Sequence, residues 1–392
     1  MKLIRSILLI ILGLAINDLS FGCTIFTSSS STAVFAGNNE DMCTTNTEIH
    51  LIPSGKGGYG RIFWGFIGDE NYQGGMNEHG LFFDGAGIPE ISITTSNNLP
   101  EFEGRYVMET ILEKCATVDE AIDILKKYSL SHLQYSHNLI ADATGDAAII
   151  EWGNTGLKII RKGDKDYLIA TNFNICESSN ARNECQRYNI AENILSTEAP
   201  SIKSFEKALS LTQQEGPFCT VYSNICDLKN KKVYLYNFHN FAINSEIDLI
   251  DELKKGEKKY RIRDFFPVNY AEMIFRMRND CISDFDGIAT KNIEFVVQSK
   301  TKIPECSISL RGSSEELKRW DKHGIPMEKV SDYKFTKSLK IKEGTLFDFE
   351  LSVNKNEYTL LDNELNKMKE ITMEVKSDTT VIMNVSEWKF NK

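Results

Sequence analysis

The sequence predicts an α+β chain that ends in an all-β module, and three observations carry the prediction. Between Cys23 and about Phe241, short strand-like runs and a few helix-period segments come in separate blocks, not in regular alternation. From Lys291 onward only strand runs remain, at the spacing of a sandwich. At 392 residues the chain is long enough for two domains of ordinary size. The expected division is a leader over 1–22, a first domain over 23–285 with a helical tail over 245–285, and a β-sandwich over 286–392.

The leader comes first. Lys2 and Arg5 precede an apolar run from Ile7 to Ile16. That run is shorter than the roughly 20 apolar residues a membrane-spanning helix needs. Basic start, apolar centre and small residues at the end make a secretory signal peptide. Ser20 and Gly22 then occupy the −3 and −1 positions of a cut before Cys23. Export to the periplasm, cell surface or medium is expected; the alternative is an uncleaved anchor.

The elements follow in order. "CTIFTSS" and "TAVFAGNNED" are two strands joined at Ser28–Thr32, and "GLFFDGAG" is a strand edged by glycines. Arg105–Cys115 has helical periodicity. Thr117 and Glu120 form a capping-box pattern that opens a second helix through Lys127. "HNLIADATGDAAIIEW" is strand, turn, strand, and "GLKIIRK" and "DYLIATNF" add two more. Asn180–Leu195 and Ser201–Gln214 are helical, the second capped by Ser201. "TVYSNICDLKNKKVYLYNF" is a hairpin turning near Lys229–Lys231, and Ser245–Lys259 is charged and helical. The sandwich strands are "IEFVVQS", "CSISLRG", "KFTKSLKI", "LFDFELSV" and "TTVIMNV".

A net charge of −10 argues against nucleic acid as a partner, because phosphate backbones select basic patches. Nine cysteines suit an exported chain, where disulfides form. With Cys23 set aside, eight remain, and their pairing is open between buried thiols and a disulfide or two. No CxxC occurs and the histidines are scattered, so neither a metal nor another cofactor is expected. "GKGGYGR" at 55–61 lacks the spacing of a phosphate-binding loop.

A cut before Cys23 creates a thiol and a free α-amine on one residue. The thiol is a nucleophile. The amine, with an ordinary pKa near 7.7–8.0, is partly neutral at pH 7 and serves as base. An oxyanion hole and groups that orient the amine complete such a site.

In this light "CTIF", "FAGNNED", "GGMNEHGLFFDG", "IADATGDAAIIE", "LIATNF" and "TVYSNICDLKNKKVYLYNFHN" occur in a telling order. Over residues 23–241 the chain resembles the N-terminal-nucleophile hydrolases with an N-terminal cysteine. These include choloylglycine hydrolases, penicillin V acylases, acid ceramidases and isopenicillin N acyltransferase. The resemblance implies a four-layer αββα fold, no cofactor, and attack on a linear, non-peptide amide bond of a small N-acyl compound. It implies that Cys23 is the nucleophile, Asp41 the acid that binds its amine, and Asn172 an oxyanion donor. Arg187, in "CQRYN", matches a late family arginine.

The chain departs from the pattern twice. Many members have Arg where this chain has Asn38, and Asn supplies neither the charge nor the fork. Gly87 stands where bile-salt hydrolases place a polar oxyanion residue, so one side-chain donor is lost. Both differences point away from bile salts and penicillin V as substrates. Asn38, Phe63 and Trp64 are candidate substrate contacts, the "FWGF" run offering apolar walls for an acyl group. His137, Asn138, Asp142 and Glu151 read better as members of buried networks than as catalytic groups.

Residues 289–392 resemble a starch-binding-like carbohydrate-binding sandwich. Trp320, after "ISLRGSSEELKR", falls at the sugar-stacking position, and Tyr358 replaces the second platform. Aromatic faces suit sugars because C–H groups pack on the ring. Trp388 reads as core. The resemblance implies a glycan partner.

Two readings compete with an exported amidase. Acyl transfer to an amine acceptor shares its acyl-enzyme intermediate. A surface lipoprotein that binds glycans, with an inactive hydrolase-like domain, also begins at a cysteine. Lipidation caps the thiol and acylates the amine. Ser20 and Phe21 differ from the aliphatic −3 and small −2 residues that lipid signals prefer.

Overall fold

A computed structural model describes residues 22–391 apart from 56–57, 92–98, 105, 177–183, 354–357 and 365. The leader therefore lies outside the described residues, except Gly22. The chain divides into two compact units, Met1–Val268 and Asn269–Lys392. The division falls before the boundary expected near residue 285. The reason is α6 (Tyr270–Asn279), which belongs with the second unit. Its Arg276 donates to the Gly344 carbonyl at 2.6 Å and pairs with Glu374 at 3.1 Å.

The first unit holds two antiparallel sheets. One contains β1 (Thr24–Ser29), β2 (Val34–Met42), β10 (Tyr167–Ala170), β11 (Cys219–Asp227), β12 (Lys232–Asn237) and β13 (Asn240–Asp248). Its order is β10-β1-β2-β11-β12-β13. The other contains β3 (Thr47–Ile52), β4 (Arg61–Phe66), β5 (Gly74–Asn77), β6 (Phe82–Gly87), β7 (Ser136–Ala141), β8 (Ala147–Gly153), β9 (Gly156–Arg161) and β14 (Lys258–Arg261). Its order is β14-β3-β4-β5-β6-β7-β8-β9.

Each sheet has its own helix pair, and side-chain alternation explains how. On the second sheet Phe63, Phe83, Ile140, Ile150 and Trp152 form a core with α1 (Val107–Lys114) and α2 (Val118–Leu125). On the first sheet Phe26, Phe35, Ile169 and Ile225 pack with α3 (Gln186–Thr197) and α4 (Ile202–Thr212). Phe26 and Phe205 lie 5.0 Å apart between ring centroids. Residues of opposite parity turn to the other sheet. Asn38 on β2 bonds Asp84 on β6 at 3.0 Å, and Phe66 on β4 meets Tyr222 on β11. The caps follow the sequence: Thr117 accepts from the Glu120 N–H, and Ser201 and Ser204 cap each other reciprocally.

The charged stretch Ser245–Lys259 differs from the helix expected. Its first part completes β13, α5 covers only Leu249–Leu253, and β14 begins at Lys258. β13 and β14 are edge strands, and edge strands carry charge because one side faces water. Lys232 pairs with Glu246 across the β12–β13 ladder.

The second unit has two four-stranded sheets. The first has the order β18 (Glu328–Ser331), β19 (Lys334–Lys342), β15 (Thr290–Ser299), β23 (Thr379–Val385). The second has the order β17 (Ile325–Pro326), β16 (Ile308–Gly312), β20 (Leu346–Val353), β22 (Ile371–Glu374). A small pair joins β21 (Tyr358–Leu361) to β24 (Glu387–Phe390). Phe295 and Val297 from one sheet share a core with Leu310, Phe347 and Phe349 from the other. No helix among the described residues is long and apolar enough to cross a membrane.

Candidate active site

Cys23 sits at the start of β1, 5% exposed, still joined to Gly22 by a peptide bond. Arg187, one residue into α3, holds this junction like a clamp. Its Nη1 donates to the carbonyls of Gly22 at 2.6 Å and Cys23 at 2.9 Å, and to Thr24 Oγ1 at 2.7 Å. Its Nη2 donates to Asn172 Oδ1 at 2.7 Å. The same guanidinium lies 4.0 Å from Asp41 Oδ2. One planar fork, that of Arg187, thus gathers the other three residues that the sequence singled out for catalysis.

Asp41 is fixed from the β11 side of the sheet. Thr220 donates to Oδ1 at 2.5 Å and Gln214 Nε2 to Oδ2 at 2.7 Å. Gln214 Nε2 also donates to the Gly22 carbonyl at 2.9 Å, so Asp41 stands beside the junction that cleavage would open. A Cβ on Gly22 would fall 1.6 Å from Gln214 Nε2, so a larger residue here has to displace the Gln214 side chain. Burial pushes Asp41 up to about 7 against the hydrogen bond of Thr220 and the charge of Arg187.

Asn172 uses its amide differently from the expectation. Its Nδ2 donates to the Gly87 carbonyl at 2.7 Å. Gly87, the other departure, therefore contributes a backbone acceptor that holds Asn172 in place. Asn38 is fully buried. Its Nδ2 bridges two carboxylates, Glu40 Oε2 at 3.1 Å and Asp84 Oδ2 at 3.0 Å.

Glu40 is the residue that sequence reasoning missed. Cys23 Sγ donates to Glu40 Oε1 at 3.2 Å. Glu40 Oε2 also accepts from Tyr222 at 3.3 Å. Strand pairing could have found it: Thr24 faces Asn39 and Ile25 faces Asn38, so the next step toward the start of β1 brings residue 23 to residue 40. Burial, then the charges of Glu40 and Asp41, hold the Cys23 thiol well above its ordinary range.

Beside Cys23 opens a cavity of about 350 Å³. Glu40, Asp41, Phe66, Tyr72, Tyr106 and Asn138 are among its walls. Phe63 and Trp64, expected there, are not. Adjacent on β4, they point to opposite faces: Phe63 enters the helix-side core, stacked on Tyr72. Trp64 is fully buried and donates from Nε1 to Asp84 Oδ2 at 2.8 Å. Phe66, from the same run, does reach the cavity.

Other expected residues fall elsewhere. His137 and Glu151 are buried, 3.9 Å apart, and Glu151 accepts from the Ile175 N–H. Asp142 binds the N–H groups of Val118 and Thr144. In the second unit Trp320 is half-buried at a backbone φ of +65°, and Trp388 donates to Ser299. The Tyr358 side chain lies outside the described residues. Among the described residues Cys185, Cys219 and Cys226 carry free thiols. Among the described residues no cluster of His, Cys, Asp and Glu could hold a metal ion.

Comparison with known proteins decides the family. The profile described as acyl-coenzyme A:6-aminopenicillanic acid acyl-transferase matches residues 28–239. The chain belongs to this family. Among solved structures, a variant of conjugated bile acid hydrolase from Clostridium perfringens is similar, with a TM-score of 0.51 at 16% identity. The match covers 63% of this chain and 99% of that one. Penicillin V acylase from Agrobacterium tumefaciens matches at TM-score 0.49 and 19% identity, over 61% of this chain and 91% of that one. The N-acylethanolamine-hydrolyzing acid amidase orthologue of Caenorhabditis elegans matches at TM-score 0.39 and 16% identity, over 53% and 93%. No curated protein sequence matches. The bile acid hydrolase likeness is one of fold, and with the family match it supports the N-terminal-nucleophile type for the first unit.

Proposed function

We propose that the chain is exported, is cut before Cys23, and then hydrolyses a linear amide bond of a small N-acyl compound. The two sheets and their helix pairs are read as a four-layer αββα fold. The observation that carries the reading is the Arg187 clamp, which brings Asp41 and Asn172 to the Gly22–Cys23 junction.

Removal of Gly22 frees the Cys23 amine beside Asp41, whose buried carboxylate then gains an ammonium partner. The Cys23 sulfur attacks the amide carbonyl, and the new C–S bond forms as the carbonyl becomes an oxyanion. The second hydrogen of the Asn172 amide and nearby backbone N–H groups stabilise that charge. The amine leaves with a proton, and water resolves the thioester. Transfer to an amine acceptor would use the same thioester. In the second unit Trp320 is assigned to glycan contact, and Trp320→Ala should abolish retention on an oligosaccharide column.

Intact mass of the native protein tests the first claim. A chain starting at unmodified Cys23 is expected; a diacylglyceryl adduct would sink the amidase and favour the lipoprotein. Turnover is tested on a panel of N-acyl amides. Cys23→Ala should reduce it to background, and retained turnover would refute the nucleophile.

A further inference from the structure

We propose that Glu40 accepts the Cys23 thiol proton and hands it to the leaving amine, making a buried carboxylate a catalytic residue of this site. The inference rests on the reading of Cys23 as nucleophile. It goes beyond it by placing the proton somewhere other than the α-amine.

Geometry comes first. The thiol already donates to Glu40 Oε1 at 3.2 Å, within the reach of direct transfer. Both residues line the same cavity, so an acyl group bound there meets sulfur and carboxyl together. Glu40 is 2% exposed, and its partners are neutral: the Cys23 thiol, the Asn38 amide and the Tyr222 hydroxyl. Asn38, where many family members carry a cation, ties Glu40 to a second carboxyl, Asp84. Asn38 Oδ1 has no hydrogen-bond partner among the described residues.

While Gly22 is attached, the groups facing Glu40 are acids or neutral donors; the cut adds one cation, the Cys23 α-ammonium, which pairs with Asp41. Cys23 comes from β1, Asp41 from β2 itself, Tyr222 from β11, Asp84 from β6, and Asp69 from the turn after β4. Arg187 stands behind Asp41. A thiol in such surroundings cannot ionise freely, because a thiolate would add a further negative charge. It can react only if its proton moves as sulfur attacks. Burial raises Glu40 to about 7, which suits a group that takes a proton and gives it back near neutral pH.

The step balances. The S–H proton passes to Glu40 Oε1 as the S–C bond forms and the carbonyl electrons move to oxygen. On collapse the C–N bond breaks, and the nitrogen takes the proton from Glu40. In deacylation water attacks the thioester and gives Glu40 a proton. The departing sulfur takes it back as the C–S bond breaks, leaving acid product and free thiol.

The test compares wild type, Glu40→Gln, Glu40→Asp and Cys23→Ala, all beginning at residue 23. Two readouts are used across pH 5–9. One is hydrolysis of N-octanoyl-7-amino-4-methylcoumarin. The other is alkylation of residue 23 by iodoacetamide, followed by peptide mass spectrometry, which needs no substrate. Glu40→Gln should lower kcat/KM by at least ~100-fold and remove the limb of the pH profile near neutrality. Glu40→Asp should lose much of the rate but keep a limb, since one methylene is removed and the charge stays. The pH dependence of alkylation should lose its inflection near 7 in Glu40→Gln, with residue 23 still modified. Unchanged hydrolysis, or an unchanged alkylation profile, in Glu40→Gln overturns the assignment of Glu40 alone. Hydrolysis that survives Cys23→Ala overturns the nucleophile and Glu40 together.

Discussion

At the scale of the residue, one guanidinium organises the site around the start of β1. Arg187 makes four hydrogen bonds within 2.9 Å, three of them to the segment from Gly22 to Thr24. Lysine keeps the charge but offers a single point that cannot span Asn172 and the junction together. Arg187→Lys should therefore leave the protein folded by circular dichroism and lower kcat/KM by roughly 10–100-fold. That range corresponds to one or two hydrogen bonds to a charged group. A wild-type rate in Arg187→Lys would mean that the clamp is dispensable. Cys23, Asp41, Asn172 and Arg187 could all be named from the chain, because each lies in a short run that resembles a known pattern. Glu40 could not be named from its own run, because "GNNED" alone does not say which acid faces the thiol; only the register of β1 on β2 does. Asp84 was hidden for the same reason, brought to Asn38 from another sheet.

At the scale of the element, local signals worked where they were strong. The caps at Thr117 and Ser201, the turn before Lys231 and the five long sandwich strands are all present. Strands β3 to β5 had weak signals, since "TEIHLI" mixes charge with apolar residues and "GGMN" is too short to show a period. Their identity comes from neighbours across the sheet, a tertiary effect. The turn between β5 and β6 shows how tightly these pieces fit. Gly80 has φ +83°, and a Cβ there would stand 2.2 Å from the carbonyl oxygen of Leu228, in the hairpin of the other sheet. Gly80→Ala meets both backbone strain and a clash with main chain that cannot swing aside. A loss of roughly 2–3 kcal/mol is expected, read as a lower urea midpoint with an unchanged slope. A midpoint within error of wild type would show that the two sheets can separate locally at no cost.

At the scale of the whole molecule, the buried acids couple stability of the chain to pH. Asp41 is 2% exposed, and burial carries its carboxyl from an ordinary 3.8 to about 7. A carboxyl raised on folding binds its proton more tightly in the folded state than in the unfolded one. Its contribution is fully present below pH ~4 and is lost as pH rises through about 7. The total is on the order of 4 kcal/mol for a shift of this size. Other carboxylates titrate in the same range, so the comparison has to be a difference between two chains. Wild type retaining Gly22 should lose stability relative to Asp41→Asn between pH 5 and pH 8, as read from Tm or urea midpoints. The chain that begins at Cys23 should show a much smaller difference. There an α-ammonium stands beside Asp41, restores its charge at neutral pH and draws its pKa back down. Equal pH dependence in the two wild-type forms would mean that the freed amine does not meet Asp41. The cut before Cys23 would then create a nucleophile without the partner on which the proposed chemistry depends.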